Sequence, residues 1–388
     1  MDFELTEQQQ SIRESLERVC ARFDDAYWRM CDEEHHYPFE YVDALRDAGW
    51  LGVTIPEAYG GSGLGITDAA VVMQTLGRIG GAAAMSSVHI NIFGPHPVVK
   101  FGTEEQKQRM LPPLVRGEDK TAFGVTEPNA GLNTTRIKTR AVKDGNSRYI
   151  INGGKIWTST AQVANKILLL TRTTPFEECK KPTDGMTIFY TDLNRDHIEV
   201  REIPKMGRHA VDSNQIFIDD LPVSVDDRIG EEGQGFYYLL HSLNPERILI
   251  GAGATGAGYG VLDKAVRYAN ERVVFDRPIG QNQAIQHPLA EIWMELQAAE
   301  LVTFKAAGMY DQGKPCGAEA NSAKFLASRA AHKAATQAVL TLGGMGYAKE
   351  FHVERAYRET MINRIAPVSE QLILCFIAEK VLGLPKSY

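Results

Sequence analysis

The sequence predicts an α+β chain in three parts, helical, then β, then helical, and three observations predict it. Apolar residues recur at helical spacing through 1–119, short β-branched and aromatic runs crowd 120–230, and the helical period returns over 231–388. A chain of 388 residues is also long for one hydrophobic core and suits two or three domains.

The first helix opens at Thr6-Glu7-Gln8-Gln9, a capping-box pattern, and Ile12, Leu16, Val19 and Phe23 then share a face. Turn-rich Pro56-Glu57-Ala58-Tyr59-Gly60-Gly61 and Gly94-Pro95-His96-Pro97 separate the early helices. In the β part, Tyr149-Ile150-Ile151-Asn152-Gly153, Lys166-Ile167-Leu168-Leu169-Leu170, Met186-Thr187-Ile188-Phe189-Tyr190 and Gln215-Ile216-Phe217-Ile218 are strand-like runs bounded by Gly, Asp, Asn and Pro. Such short, evenly punctuated strands indicate a small barrel or sandwich. Later helices break near Arg277-Pro278-Ile279-Gly280, Gly313-Lys314-Pro315 and Gly343-Gly344-Met345-Gly346. No tandem repeat or low-complexity tail is visible, which argues against a solenoid or a disordered scaffold.

Composition narrows the function. The chain is 44% hydrophobic and 23% charged, with a net charge of -7 and no basic stripe, which argues against nucleic-acid binding. Five cysteines without a CxxC pair suggest neither a disulfide framework nor a metal site, and point to a reducing compartment. The acidic start Met1-Asp2-Phe3-Glu4 is unlike a secretory or transit segment, and no apolar run is expected to reach membrane-spanning length. The expected location is the cytoplasm, away from any membrane.

The chemically informative stretch is Leu243-Asn244-Pro245-Glu246-Arg247, at the threshold of an uncharged, glycine-rich run over 248–262. One interpretation is a helix start with Glu in the first turn, where the dipole favours an anion by about 0.3–1 kcal/mol. The other is a general base at the edge of a dry pocket. Gly251-Ala252-Gly253-Ala254-Thr255-Gly256 also satisfies GxGxxG, with Glu271 20 residues after Gly251. A dinucleotide fingerprint needs a strand before it, however, and Glu246-Arg247 looks helical; small residues so spaced more often let two buried helices approach.

Ala122-Phe123-Gly124-Val125-Thr126-Glu127-Pro128-Asn129-Ala130-Gly131 and Asn152-Gly153-Gly154-Lys155-Ile156-Trp157-Thr158-Ser159 together resemble the flavin-binding middle domain of the acyl-CoA dehydrogenase family. The resemblance continues through Tyr268-Ala269-Asn270-Glu271-Arg272-Val273-Val274-Phe275, Gln281-Asn282-Gln283-Ala284-Ile285-Gln286 and Leu342-Gly343-Gly344-Met345-Gly346-Tyr347, and so spans essentially the whole chain in order. It implies an N-terminal helical domain (1–119), a middle β-barrel domain (120–230) and a C-terminal four-helix bundle (231–388). It also implies FAD as cofactor, an acyl-CoA substrate, an electron-transferring flavoprotein as electron acceptor, and a homotetramer.

By the same resemblance, Phe123, the main chain at Val125 and the Thr126 hydroxyl contact the isoalloxazine, while Trp157, Thr158 and Ser159 flank it near N5. Arg272 and Gln283 reach the FAD diphosphate of a neighbouring subunit, the backbone at Gly343, Gly344 and Gly346 approaches it, Phe275 also contacts the cofactor, and Ser369 and Gln371 lie near the adenosine part. Leu132, Asn244 and Arg247 lie on the substrate side. Without the family, Thr126 and Ser159 are turn-capping hydroxyls, Trp157 a core aromatic and Arg272 a solvated helix residue.

Most members of the family carry the catalytic Glu near the C-terminus, where this chain has Pro367. Glu246-Arg247 instead matches isovaleryl-CoA and long-chain acyl-CoA dehydrogenases, which draw the base from the earlier helix. The expectation is Glu246 as base and flavin N5 as hydride acceptor, giving a trans-2-enoyl-CoA. Pro367 lacks the N–H with which the family polarises the thioester, and the Val368 amide is the alternative donor. Leu132 and Leu340 also depart from the family's usual Ser and Gln. Glu370 is a candidate replacement base, or else a solvated or capping residue. Enoyl-CoA reduction, a flavin oxidase or monooxygenase activity, and a non-catalytic acyl-CoA-binding subunit remain as alternatives.

Overall fold

The computed structural model describes residues 4–387. Its first part holds α1 (Glu7–Cys20), α2 (Asp25–Glu33), α3 (Phe39–Asp47), α4 (Ile66–Phe93), α5 (His96–Phe101) and α6 (Glu104–Val115). The capping box opens α1: Thr6 N–H donates to Gln9 Oε1 at 3.1 Å, and Gln9 N–H donates to Thr6 Oγ1 at 3.2 Å. Within α4 the backbone leaves helical geometry at Gly81, whose φ of 75° glycine adopts without a Cβ clash.

The middle part is a sheet of β1 (Thr121–Gly124), β2 (Arg140–Asp144), β3 (Arg148–Ser159), β4 (Lys166–Arg172), β5 (Met186–Asp192), β6 (Ile198–Glu202), β7 (Ser213–Ser224) and β8 (Arg228–Ile229). The strand order is β6-β7-β3-β2-β4-β5-β8, with β1 parallel to β4 off this path. Alternation gives the sheet two apolar faces. Ile167 and Leu169 join Ala122, Tyr149, Ile151, Phe189, Ile216 and Ile218 in one cluster, so β3 and β7 meet β4 and β5 across a barrel-like interior. Leu168 and Leu170 point the other way, onto Met110, Leu111 and Leu114 of α6.

The last part contains α7 (Gly235–Glu271), the hairpin β9 (Val273–Val274) and β10 (Arg277–Pro278), α8 (Gln283–Asp311), α9 (Gly317–Leu342), the short α10 (Gly344–Tyr347), α11 (Val353–Ile365) and α12 (Glu370–Phe376). Helices α7, α8 and α9 and the start of α11 share a core. An 18-residue window within Val353–Val381 reaches a mean hydropathy of 1.3, long and apolar enough by length and composition to span a membrane, contrary to the expectation from sequence. Val353–Val381 is not one helix, since α11 ends at Ile365 and α12 starts at Glu370.

The glycine-rich run lies inside α7, with no strand before it, and this overturns the dinucleotide alternative. Its glycines set a close seam with α4. A methyl on Gly256 would lie 2.0 Å from the Gln74 carbonyl oxygen, and one on Gly77 2.2 Å from that of Gly253. Buried residues of α1 to α4, α7, α8 and α9 therefore form a single cluster, and the outer two parts of the chain share a core.

Candidate active site

Glu246 stands well inside α7, not in its first turn, so the helix-start interpretation is corrected. The residue is 7% exposed and, among the described residues, makes no hydrogen bond or ion pair. Burial pushes its carboxyl up to about 7; the Arg247 and Lys324 charges restrain the rise. Arg247 is fixed by its Nη1 donating to Asn244 Oδ1 at 3.0 Å, while its buried Nε has no partner. Lys324, wholly buried on α9, donates from Nζ to the Val368 carbonyl at 2.6 Å. Burial brings its ammonium down to about 8.

That bond ties α9 to the segment between α11 and α12, where the family's usual base position falls. Pro367 is exposed there, and the Ser369 hydroxyl caps α12 by accepting from Leu372 N–H at 3.3 Å, with Gln371 exposed beside it. Glu370 is buried, and both expectations for it are corrected. Its oxygens accept from Arg364 at 2.7 and 3.0 Å and from Arg329 at 3.2 Å. The Arg364 hydrogen bond leads in holding its carboxyl below the usual range against the opposing effect of burial. Such a group is neither solvated nor free to take a proton.

The two glycine-containing motifs of the β part are stitched side by side. Ile156 N–H donates to the Thr126 carbonyl at 2.9 Å, and Lys155 Nζ reaches the Val125 carbonyl at 3.2 Å and Glu127 Oε1 at 2.9 Å. Glu127 also accepts the Lys138 and Thr139 N–H groups at 2.6 and 2.9 Å. Pairing of β3 with β7 slips between Lys155 and Thr158, and Trp157 takes a φ of 62° in that bulge. The indole is 56% exposed, so it is not the core aromatic it could have been. Thr158 Oγ1 is buried without a partner. Ser159 Oγ accepts from Arg208 Nη2 at 3.0 Å and caps no turn, and the half-buried Phe123 packs on Phe93 at 5.0 Å. Leu132 is exposed in the loop after β1.

A second group collects at the far end of α7. Arg272 caps that helix and its guanidinium has no partner among the described residues, which matches the solvated interpretation within one chain. Phe275 is 93% exposed, Gln283 is exposed at the start of α8, and Gly343 and Gly344 face open space after α9. Arg272 follows Glu246 by 272 − 246 = 26 residues, roughly 39 Å of helix. The structure thus brings the expected site residues together in two groups and keeps those groups apart.

Each group fits a different part of a long cofactor with a flat ring at one end, and their separation leaves the two parts to different cofactor molecules. The exposed indole and the unpartnered Thr158 hydroxyl offer a wall and a donor beside β3, and the open glycine backbone and free guanidinium offer an anion cradle at the distal end. Sequence reasoning missed Lys324, Arg208 and His89. Lys324 shares the alanine-rich α9 with Lys333 and Arg329, and nothing in the sequence sets it, Arg208 or His89 apart.

A buried carboxylate with no partner among the described residues, in a chain that also carries a β-domain suited to a flavin, is the equipment of a flavin-dependent oxidoreductase. The chain matches the acyl-CoA dehydrogenase N-terminal domain over residues 6–118, the middle domain over 122–221 and the C-terminal domain over 233–382. It is 35% identical over 395 aligned residues to acyl-CoA dehydrogenase FadE12 of Mycobacterium tuberculosis, covering 99% of this chain and 98% of that protein. It is 32% identical to the caffeyl-CoA reductase-Etf complex subunit CarC of Acetobacterium woodii, covering 88% of this chain and 89% of that one. The solved structure of butyryl-CoA dehydrogenase from Megasphaera elsdenii superposes with a TM-score of 0.93 at 30% identity, covering 98% of this chain and 100% of that chain. The chain belongs to the acyl-CoA dehydrogenase family and is an FAD-dependent oxidoreductase.

Proposed function

We propose that this enzyme oxidises the Cα–Cβ bond of an acyl-CoA thioester to a trans-2-enoyl-CoA, with Glu246 removing the α-proton. The observation that supports this is the buried carboxyl brought to about 7, close to the pH at which a general base is most effective. Bound FAD supplies the acceptor for the β-hydrogen and its electron pair. Phe123, Val125, Thr126, Trp157, Thr158 and Ser159 hold the ring. Arg247, oriented by Asn244, and Lys324 keep part of the Glu246 population ionised despite its burial. Because Pro367 has no N–H, the next main-chain donor is Val368, whose position Lys324 fixes through its carbonyl.

A carboxyl near 7 gives up a proton as readily as it takes one, so the same site suits enoyl-CoA reduction, an activity of the kind named for the Acetobacterium relative. That relative's Etf complex also supports an electron-transferring flavoprotein as redox partner. The separated cofactor groups and exposed Phe275 support an oligomer, a tetramer in our proposal, in which Arg272, Phe275, Gln283, Gly343 and Gly344 serve a neighbour's FAD. The five free cysteines support a cytoplasmic location. The test is anaerobic titration of the yellow holoenzyme with straight, branched and cyclic acyl-CoAs, and of its reduced form with the matching enoyl-CoAs. Bleaching by an acyl-CoA is expected; flavin unresponsive to both series ends the proposal.

A further inference from the structure

The loop between β6 and β7 carries a cation that, among the described residues, has no anion in contact. Arg208 has a φ of 60°, a left-handed conformation uncommon for a residue with a side chain, and its guanidinium is turned inward. Its donors reach only hydroxyls: Ser159 Oγ at 3.0 Å, Ser86 Oγ at 3.4 Å and Ser213 Oγ at 3.5 Å. The two carboxylates close enough to influence it are engaged elsewhere. Glu359 pairs with Arg355 at 3.0 Å and accepts from Ala83 N–H at 3.3 Å; Asp212 accepts from Gln162 N–H at 3.2 Å and from the Asn214 amide. The neighbouring Lys205 ammonium is also buried without a hydrogen-bond partner, and the two cations repel. A desolvated guanidinium held only by neutral oxygens is costly, and a bound carboxylate offsets that cost.

The position of this cation relative to Glu246 follows from helix geometry. Gly253 lies seven residues, or two turns, after Glu246 and so on the same face of α7, about 10 Å further along. Met85 covers that face: a methyl on Gly253 would lie 2.2 Å from its sulfur. Ser86, the next residue, accepts from Arg208, and His89 lies one turn on along α4 with a buried Nε2 that has no partner. Burial and the Arg208 charge bring His89 down to about 3, so the imidazole is neutral. The ring contacts His89–Phe93, tilted at 4.5 Å, and Phe93–Phe123, edge to face at 5.0 Å, close the region toward β1.

We propose that Arg208, with Ser86 and His89, is a specificity site for an acyl group ending in a carboxylate, so that the substrates are CoA monothioesters of dicarboxylic acids. This deepens the dehydrogenation reading and rests on it for the placement of the α-carbon at Glu246. The test uses FAD-loaded Glu246→Gln, in which binding is read without turnover. It is titrated by calorimetry with glutaryl-, adipyl- and suberyl-CoA, and with straight-chain acyl-CoAs of equal carbon number.

The ω-carboxylated esters are expected to bind at least about tenfold more tightly. Adding Arg208→Gln is expected to erase that preference while leaving the straight-chain esters within about twofold; Arg208→Lys retains part of it. Equal or tighter binding of the straight-chain esters with Arg208 intact overturns the proposal, whether or not the Arg208 variants fold. Tight binding of the ω-carboxylated esters without bleaching of the unsubstituted holoenzyme upholds Arg208 as the site and sinks the dehydrogenation reading instead.

Discussion

The middle of α7 and the joint between α11 and α12 each bury one glutamate, and the two carboxyls are driven in opposite directions. Glu246 and Glu370 are 7% and 5% exposed. Glu370 accepts three hydrogen bonds from two arginines and is held low, whereas Glu246 accepts none and rises to about 7. The difference shows that burial alone does not decide a carboxyl's shift. What raises it is burial without partners, and our proposal takes that condition as the mark of the base. Glu127 belongs with Glu370, since Lys155 and two N–H groups hold its carboxyl low although burial opposes them.

The largest effect that distinguishes the two regions is on rate. Glu246→Gln is expected to slow flavin reduction by acyl-CoA by about 10³-fold, in the range of general-base contributions. The unsubstituted enzyme's kcat/KM should rise with pH through about 7, as the carboxyl ionises. Stability runs the other way. Between the ordinary value of 4.5 and about 7 the folded chain keeps a proton that the unfolded chain has released, so stability falls with rising pH by roughly 3 kcal/mol. Glu246→Gln should therefore melt higher than the parent at pH 8, and equal melting would deny that the site is strained.

Next in size, Gly256→Ala pushes a methyl against the Gln74 carbonyl and should cost about 2 kcal/mol by denaturant unfolding, while displacing the helix that carries Glu246. A neutral result would mean that the α4–α7 seam is loose. Glu370→Gln should cost about 1–2 kcal/mol and leave the chemical step within about twofold. Because the Glu370 carboxyl is held low, the stability it lends is present above the ordinary carboxylate range and is lost as pH falls through its folded value, so parent and variant converge in acid. A large rate loss in Glu370→Gln would reassign the base. Lys324→Met removes one restraining charge together with the hydrogen bond that holds the Val368 carbonyl, and should move the rising limb of the pH profile upward.

The helix, β, helix order was legible because the apolar period changes twice along the chain, and the capping box at Thr6 announced the first helix. Glu246 could be singled out because its neighbours carry the family's pattern and Pro367 vacates the alternative position. Its depth within α7 was not legible: Asn244-Pro245 looks like a helix start, and only the upstream turns from Gly235 make it an interior. The pairing of Glu370 with Arg329 is equally hidden, since 41 residues separate them and no local pattern records the meeting of α9 with α12. Arg208 is the extreme case, its role set by a loop conformation that side-chain chemistry does not encode.

The shared core of α4 and α7 has a consequence for synthesis. The face of α4 is complete when Phe93 leaves the ribosome, but the helix that covers it begins only at Gly235, 235 − 93 = 142 residues later. At ordinary elongation rates that is a wait of roughly 7 to 30 s with an apolar, glycine-notched surface uncovered. The β-domain between them closes on its own interior and can finish meanwhile. The nascent first third is thus the segment with most need of chaperone cover, and expressing residues 1–119 alone should give an aggregating product.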